Sequence, residues 1–218
     1  MTDEAAIPVP AAEPLRLAYL ASEYPAISHT FIHREVEALR AAGFEVATVS
    51  VRPTAGLERL SAAEQQEAAR TLRLLEAPAL RLPSAHLRLA LRHPCRYLRL
   101  AVAALRMAGR CPWTKTTAYF LEAGRLAEWM EQRGLRHVHV HFGNPAANVA
   151  MLAAATGLLE FSMSIHGPDI FYDVGANLLA EKAQAAVFVR CISDFCRSQM
   201  LRLAPHEAWD RFPVVRCG

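Results

Sequence analysis

The chain has 218 residues, of which 53% are hydrophobic and 21% are charged, and its formal net charge is +3. This length suits one large domain, and the composition argues against a disordered chain. A small net charge without an aromatic–basic stacking motif predicts no nucleic-acid partner.

Cysteine usage and the amino terminus both indicate a cytoplasmic protein. The five cysteines lack C-x-x-C spacing, which fits reduced thiols better than a disulfide framework or a structural zinc site. Residues 1–14 contain three prolines and four alanines, so we predict a disordered leader there. They carry acidic residues where a signal peptide carries basic ones, so no signal peptide is predicted. No stretch reaches the roughly 18 apolar residues of a membrane-spanning helix.

The first elements form a βαβ unit. Residues 15–21 predict a strand, Thr30 begins an amphipathic helix that ends near Gly43, and residues 44–51 predict the next strand. A strand, a helix and a strand within about 35 residues predict a parallel pair with a right-handed crossover. Within the helix, Glu35 is expected to be mostly solvated.

The region from about 57 to 133 is helical in pattern and is predicted to be an insertion. Residues 81–110 contain seven arginines and no acidic residue, and Pro94 divides them into two helices. The arginines share one helical face and leucines lie mostly on the other, so a solvated basic face above leucines packed on the sheet is the favoured interpretation. The alternative is an interfacial pair of helices at an anionic bilayer. The membrane-surface residues would then be Arg88, Arg92, Arg96 and Arg99.

Strands and helices alternate beyond this insertion. Helices are predicted at 116–133, 146–156, 175–184 and 194–203, and strands at 137–142, 160–165, 186–192 and 212–216. Six strands with interleaved helices predict an α/β fold with a Rossmann-like, doubly wound, mostly parallel sheet.

Two predicted strands each end in a histidine, His141 and His166. The carboxyl ends of parallel strands form the edge where ligands bind, so both imidazoles are candidate site groups. As a strand-end loop residue, His166 is expected to contribute little packing. Gly167 would let a ligand approach the backbone closely, and Asp169 would either orient His166 or cap the next turn.

Three histidines alternate along one strand, His137, His139 and His141, and therefore share one face. They could form a zinc-dependent hydrolase site, but side chains at i and i+2 on a straight strand lie about 7 Å apart. Histidines packed under a helix, with only His141 near the cleft, are the favoured interpretation, and no metal is expected.

Small polar residues follow several strands and suit helix capping. After the first strand, Ser28 or Thr30 is favoured as an N-cap, although this helix terminus could also hold an anionic group such as a lipid diphosphate. Asn144 is favoured as a cap over an acceptor contact, and Ser193 is a good N-cap for the helix at 194–203. No G-x-G-x-x-G motif supports a dinucleotide site.

Several motifs together resemble a known family. They are Tyr24-Pro-Ala-Ile-Ser-His-Thr-Phe-Ile32 followed by Glu35, Leu91-Arg-His-Pro-Cys-Arg-Tyr-Leu98, Val-His-Phe-Gly at 140–143, Ile-His-Gly-Pro-Asp-Ile-Phe at 165–171, and Ile192-Ser-Asp-Phe. In order and spacing they resemble the amino-terminal half of bacterial family 4 glycosyltransferases of the two-Rossmann-domain (GT-B) type, in the exopolysaccharide and colanic-acid branch. The resemblance covers residues 15–218, and His29 stands where the family usually has Glu.

The resemblance implies the acceptor-side half of a retaining glycosyltransferase that needs no cofactor. A second, absent domain would bind the nucleotide-sugar donor, so this chain alone should be inactive. His166 would hydrogen-bond the donor sugar as the catalytic residue. The acceptor would be a saccharide, lipid-linked, at the cytoplasmic face of the membrane. Substrate-binding residues implied in this way are Ser28, His29, Thr30, His141, Gly143, Asn144, Gly167, Asp169 and Ser193. The alternative function is a non-catalytic binding or membrane-targeting module that docks a separate catalytic subunit.

Overall fold

The computed structural model describes residues 14–76, 81–172, 174–175 and 177–216. Nearly all of the predicted leader therefore lies outside the described residues. The strands are β1 (Arg16–Glu23), β2 (Glu45–Arg52), β3 (Leu72–Arg73), β4 (His137–His141), β5 (Glu160–Ile165) and β6 (Val189–Cys191). The helices are α1 (Thr30–Ala41), α2 (Ala62–Arg70), α3 (Arg81–Arg92), α4 (Pro94–Ala108), α5 (Trp113–Gln132), α6 (Pro145–Ala155), α7 (Gly167–Phe171), α8 (Leu179–Ala185) and α9 (Asp194–Leu201).

The six strands form one parallel sheet in the order β3-β2-β1-β4-β5-β6. The order grows outward from β1 in one direction and from β4 in the other, so it reverses between these two central strands. In an open α/β sheet such a reversal leaves a crevice at the carboxyl ends of the strands. The predicted Rossmann-like, doubly wound α/β fold is confirmed.

One predicted strand is wrong, and one observed strand was not predicted. Residues 212–216 form only an isolated bridge, in which Val214 pairs with Cys191, and Pro213 has no N–H for a longer ladder. The sixth strand is instead β3, inside the region predicted to be helical. Its two residues are too few to produce a periodic signal.

Several helix boundaries follow local signals in the sequence. Gly43 has φ 90° just after α1, and Pro94 occupies the first turn of α4 after α3 has ended. Ser193 Oγ accepts a hydrogen bond from the backbone N–H of Cys196 at 3.1 Å and caps α9 as predicted. The helix predicted at 175–184 begins later, at Leu179, and α7 was not predicted.

The two faces of the sheet differ in their covering. Val138 and Val140 of β4 point into the main core, with Phe161 of β5, beneath α6. Tyr19 of β1 belongs to a smaller cluster on the opposite face, which includes Ile32 of α1. Within the described residues, no helix is long and apolar enough to cross a bilayer.

Candidate functional site at the carboxyl edge of the sheet

Ser22 and Asn144 join the ends of the two central strands. Ser22 Oγ donates to Asn144 Oδ1 at 3.1 Å, across the point where the strand order reverses. The same Oδ1 accepts from the backbone N–H of Ala146 at 3.0 Å and caps α6. The favoured capping role of Asn144 is therefore confirmed.

The turn after β4 is held from inside the protein. Phe142 has φ 72°, a backbone conformation that is uncommon outside glycine. A Cβ at Gly143 would lie 2.8 Å from Leu179 Cδ1, so a side chain there would force the buried Leu179 to shift. The fully buried Lys182 donates from Nζ to the carbonyl oxygens of Gly143 at 2.7 Å and Asn144 at 3.2 Å. The buried lysine thereby fixes the turn on one side of the crevice.

His166, at the end of β5, is a buried and uncharged imidazole. Its ring centroid lies 4.5 Å from that of Phe142 and 5.2 Å from that of Phe31, and the residue is 8% exposed. Burial lowers the pKa of His166 to about 4, and the Arg190 guanidinium acts in the same direction. Its Nε2 has no hydrogen-bond partner among the described residues. The expectation that His166 contributes little packing is wrong.

Asp169 caps the start of the short helix that follows His166. Its Oδ2 accepts from the backbone N–H of His166 at 2.9 Å, which confirms the capping alternative. Burial raises the pKa of Asp169, while its backbone hydrogen bonds and Lys182 oppose that rise. At Gly167 the nearest atom to an added Cβ would be 4.0 Å away, so the backbone there remains open to approach.

A carboxylate connects the first helix to the strands beneath it. Glu35 Oε1 accepts from Tyr19 OH at 2.6 Å, and Glu35 Oε2 accepts from Arg190 Nη1 at 2.5 Å. His141 Nε2 lies 3.9 Å from Glu35 Oε1, and neither nitrogen of this fully buried ring has a hydrogen-bond partner among the described residues. Burial lowers the pKa of His141 well below its usual value and, with the Glu35 carboxylate, raises that of Tyr19. The expectation that Glu35 is mostly solvated is wrong.

The alternating histidines of β4 share one face, as predicted. His137 Nε2 and His139 Nδ1 both hydrogen-bond with Ser162 Oγ, at 2.7 and 2.8 Å. His139 Nε2 hydrogen-bonds with Ser164 Oγ at 2.8 Å. Serines at alternate positions of β5 therefore satisfy imidazoles at alternate positions of β4.

The side chains that come close enough to share a metal ion differ from the three histidines of the zinc alternative. Glu35, His139 and His141 each place one candidate ligand atom within 4.8 Å of the others, and His137 does not belong to this cluster. Both oxygens of Glu35 and both nitrogens of His139 already have hydrogen-bond partners. A metal ion would have to displace those partners.

The residues before α1 differ from the predicted caps. His29 occupies the N-cap position without a side-chain cap hydrogen bond, so the expectation that Ser28 or Thr30 caps the helix is wrong. His29 Nδ1 hydrogen-bonds with Glu23 O at 3.1 Å, and its ring centroid lies 5.4 Å from that of Phe142. Ser28 and Thr30 are exposed on either side of it. Their hydroxyls are therefore accessible beside the crevice.

A large cavity lies beneath α1 rather than at the strand ends. It has a volume of about 800 Å³. Its apolar lining includes Leu15, Leu17, Phe31, Leu39, Phe44 and Phe188, and its polar lining includes Tyr19, Glu35, His139 and Arg190. Glu35 therefore lies both in the lining of this cavity and beside the imidazoles of His139 and His141.

The arginines of α3 and α4 are only partly free of internal hydrogen-bond partners. Arg88 Nε donates to Glu128 Oε1 at 2.6 Å, and Arg96 donates to the carbonyl of Gly157. Neither Arg92 nor Arg99 hydrogen-bonds to another described residue. The neighbouring apolar residues Leu87, Leu91, Leu98, Val102 and Leu105 are exposed. The favoured interpretation, in which these leucines pack on the sheet, is therefore wrong.

Sequence reasoning missed two charged residues of the site. Arg190 stands in an otherwise apolar strand, and an isolated charge in such a run is a detectable signal, because unpaired charges are rarely buried. Lys182 lies in a short helix rich in alanine and polar residues, where nothing local distinguishes it from a solvated lysine. Its partners lie almost forty positions earlier in the chain.

Comparison with known proteins finds likeness in structure only. No protein-family model and no curated protein matches the sequence. A UDP-N-acetylglucosamine 2-epimerase from Rickettsia bellii superposes with a TM-score of 0.54 at 7% identity, over 94% of this chain and 45% of that protein. The likeness is one of fold. A glycosyltransferase from Rickettsia africae ESF-5 gives a TM-score of 0.47 at 13% identity, over 93% of this chain and 43% of that protein. This chain thus spans less than half the length of either protein.

Proposed function

We propose that this chain is the acceptor-side domain of a retaining GT-B glycosyltransferase in exopolysaccharide synthesis. The enzyme would transfer a sugar from a nucleotide-sugar to a lipid-linked saccharide acceptor. The observation that carries this proposal is the pair of buried, uncharged imidazoles at the ends of adjacent strands, His141 and His166. They lie beside the strand-order reversal, where α/β sheets bind ligands. The motif resemblance supplies the reaction class.

His166 is suited to bind a sugar hydroxyl. A neutral imidazole can donate one hydrogen bond and accept another, and the unpartnered Nε2 can do so without breaking a bond already made. The rings of Phe31 and Phe142 exclude water on two sides. A hydrogen bond made there is stronger than the same bond in water.

The loop before α1 would contact the acceptor. Ser28 and Thr30 expose hydroxyls, and His29 lies between them against Phe142. Gly167 leaves its backbone open on the other side of the crevice. Together these residues offer hydroxyl, imidazole and backbone groups to a saccharide without a bound metal or cofactor.

A second domain would complete the enzyme in this proposal. Stabilising the charge of the departing nucleotide phosphate is usually the largest electrostatic contribution to such a transfer. Arg190 is already paired with the Glu35 carboxylate and lies near the neutral imidazole of His166, so its guanidinium is not free for a departing phosphate. We therefore assign the donor site to the second domain and expect this chain alone to be catalytically inactive. The enzyme would work at the cytoplasmic face of the membrane, where a lipid-linked acceptor is held.

The test uses a polypeptide that carries both domains. His166→Ala should lower kcat by roughly 30- to 1000-fold, since a hydrogen bond to a developing charge is worth about 2–4 kcal/mol. His166→Gln, which keeps hydrogen-bonding capacity, should recover part of the loss. His206→Ala, at an exposed position, is the matched control.

Two results would contradict the proposal. In one, His166→Ala loses stability but keeps its turnover per folded molecule, which would make His166 a packing residue. In the other, the isolated chain transfers sugar as fast as the two-domain polypeptide. Urea unfolding measured on the same samples separates loss of fold from loss of chemistry.

A further inference from the structure

The outer surface of α3, α4 and the first residue of α5 carries a run of exposed apolar side chains, here called the leucine ridge. It comprises Leu87, Leu91, Leu98, Val102, Leu105 and Trp113. Leu91 is 74% exposed, and Leu105 and Trp113 are each 73% exposed. Leu105 and Trp113 line one surface depression of about 360 Å³, which links α4 to the start of α5.

The inner surface of the same two helices is firmly attached, which fixes the direction of the ridge. His86 Nδ1 hydrogen-bonds with Tyr97 OH at 3.2 Å, and His86 Nε2 hydrogen-bonds with Leu121 O at 3.1 Å, so α3, α4 and α5 are joined. Leu89 and Leu100 are completely buried beneath them. The ridge is therefore a rigid outer face rather than the unpacked side of a loose helix.

Arginines flank the ridge on both helices. Successive residues of an α-helix are turned by about 100°, so Arg92 lies slightly more than a quarter turn from Leu91 on α3. Arg99 stands in the same relation to Leu98 on α4. Residues 81–110 contain no acidic residue. An apolar stripe bordered by arginines presents long basic side chains to the level at which lipid phosphates lie.

We propose that the leucine ridge inserts into the surface of an anionic bilayer while the flanking arginines contact lipid phosphates. The positive charge of the arginines favours an anionic bilayer over a second copy of the chain as the partner of the ridge. A second copy of the chain would bring two arginine stripes together without an acidic residue between them, which would repel. The proposal goes beyond sugar transfer and needs no donor or second domain, so it can fail while the proposed function stands, and the reverse also holds.

The test is co-sedimentation with vesicles of phosphatidylglycerol and phosphatidylcholine, compared with pure phosphatidylcholine. The chain should bind the anionic vesicles and leave the zwitterionic ones unbound. Leu91→Gln, Leu98→Gln and Leu105→Gln together should weaken binding roughly a hundredfold, because three apolar side chains lose their burial. These positions are exposed, so the fold should be unaffected.

A second set of variants separates charge from insertion. Replacement of Arg92, Arg99 and Arg106 by Gln should weaken binding roughly a hundredfold at low salt. These positions avoid Arg88 and Arg96, which have internal partners. The matched control is Arg59→Gln with Arg202→Gln and Leu15→Gln, which are exposed outside the ridge and should leave binding unchanged.

Fluorescence gives a direct readout of insertion. Tryptophan emission should shift to shorter wavelength when anionic vesicles are added, and Trp113→Phe should abolish the shift while binding persists. Any of three results would overturn the proposal: equal sedimentation with both vesicle types or with neither, unchanged binding by the leucine variant, or a vesicle-independent dimer that the leucine variant dissociates.

Discussion

Lys182 offers the sharpest test of how the turn beside the crevice is held. Its side chain is fully buried, and burial lowers its pKa from 10.5 to about 7, although nearby Asp169 favours the charged form. The unfolded chain keeps this proton to about pH 10.5. Between these two values the unfolded state binds more protons than the folded state. The free energy of unfolding should therefore rise with pH across this window.

The magnitude follows from the width of that window. Well inside this window, each pH unit changes the free energy of unfolding by about 1.4 kcal/mol. The change is smaller in the first unit above pH 7, because the folded state is still partly protonated there. Between pH 7 and pH 9 the unaltered chain should therefore gain about 2 kcal/mol relative to Lys182→Met. At pH 7 the variant leaves the carbonyls of Gly143 and Asn144 without their donor, at a cost of about 1–3 kcal/mol that the removal of a buried charge partly offsets.

Urea unfolding at pH 7 and pH 9, in reductant, measures this difference. Lys115→Met is the matched control, because Lys115 is the other lysine of the chain and is exposed. If Lys182→Met gains as much stability from pH 7 to pH 9 as the unaltered chain does, the buried lysine is not the group that titrates.

Three further predictions concern the same edge of the sheet. Gly143→Ala should cost about 1–3 kcal/mol of stability, because its Cβ would meet a side chain at 2.8 Å, whereas Gly167→Ala should cost less than about 0.5 kcal/mol; equal urea midpoints would contradict this. Burial lowers the pKa of His139 to about 3 and of His166 to about 4, so the unfolded state takes up more protons below pH 6.5. As the pH falls below 6.5, the free energy of unfolding should decrease by about 1.4 kcal/mol for each histidine and each pH unit. His139→Gln should make this pH dependence shallower, and an unchanged pH dependence would refute the prediction. Calorimetric titration with zinc should show no tight stoichiometric site, since Glu35 and His139 already have hydrogen-bond partners; a stoichiometric, chelator-reversible site would overturn that expectation.

The sequence by itself determined the features that depend on neighbouring residues. The alternation of β4 placed its histidines on one face, and Ser193, Asn144 and Gly43 mark helix ends as expected. Apolar runs separated by helices predicted the sheet class. These signals are readable because side-chain direction has period two in a strand and capping acts within a few residues.

Only the tertiary structure decided which distant groups meet. Glu35 and Arg190 pair across 155 positions, and Lys182 reaches carbonyls almost forty residues earlier, contacts that no local pattern encodes. The exposed leucines of α3 and α4 have the periodicity of a packed face, yet Leu89 and Leu100 of the same helices face the core and leave the other leucines outside. Periodicity predicts that a helix has an apolar face, but the packing of neighbouring helices decides which face is buried.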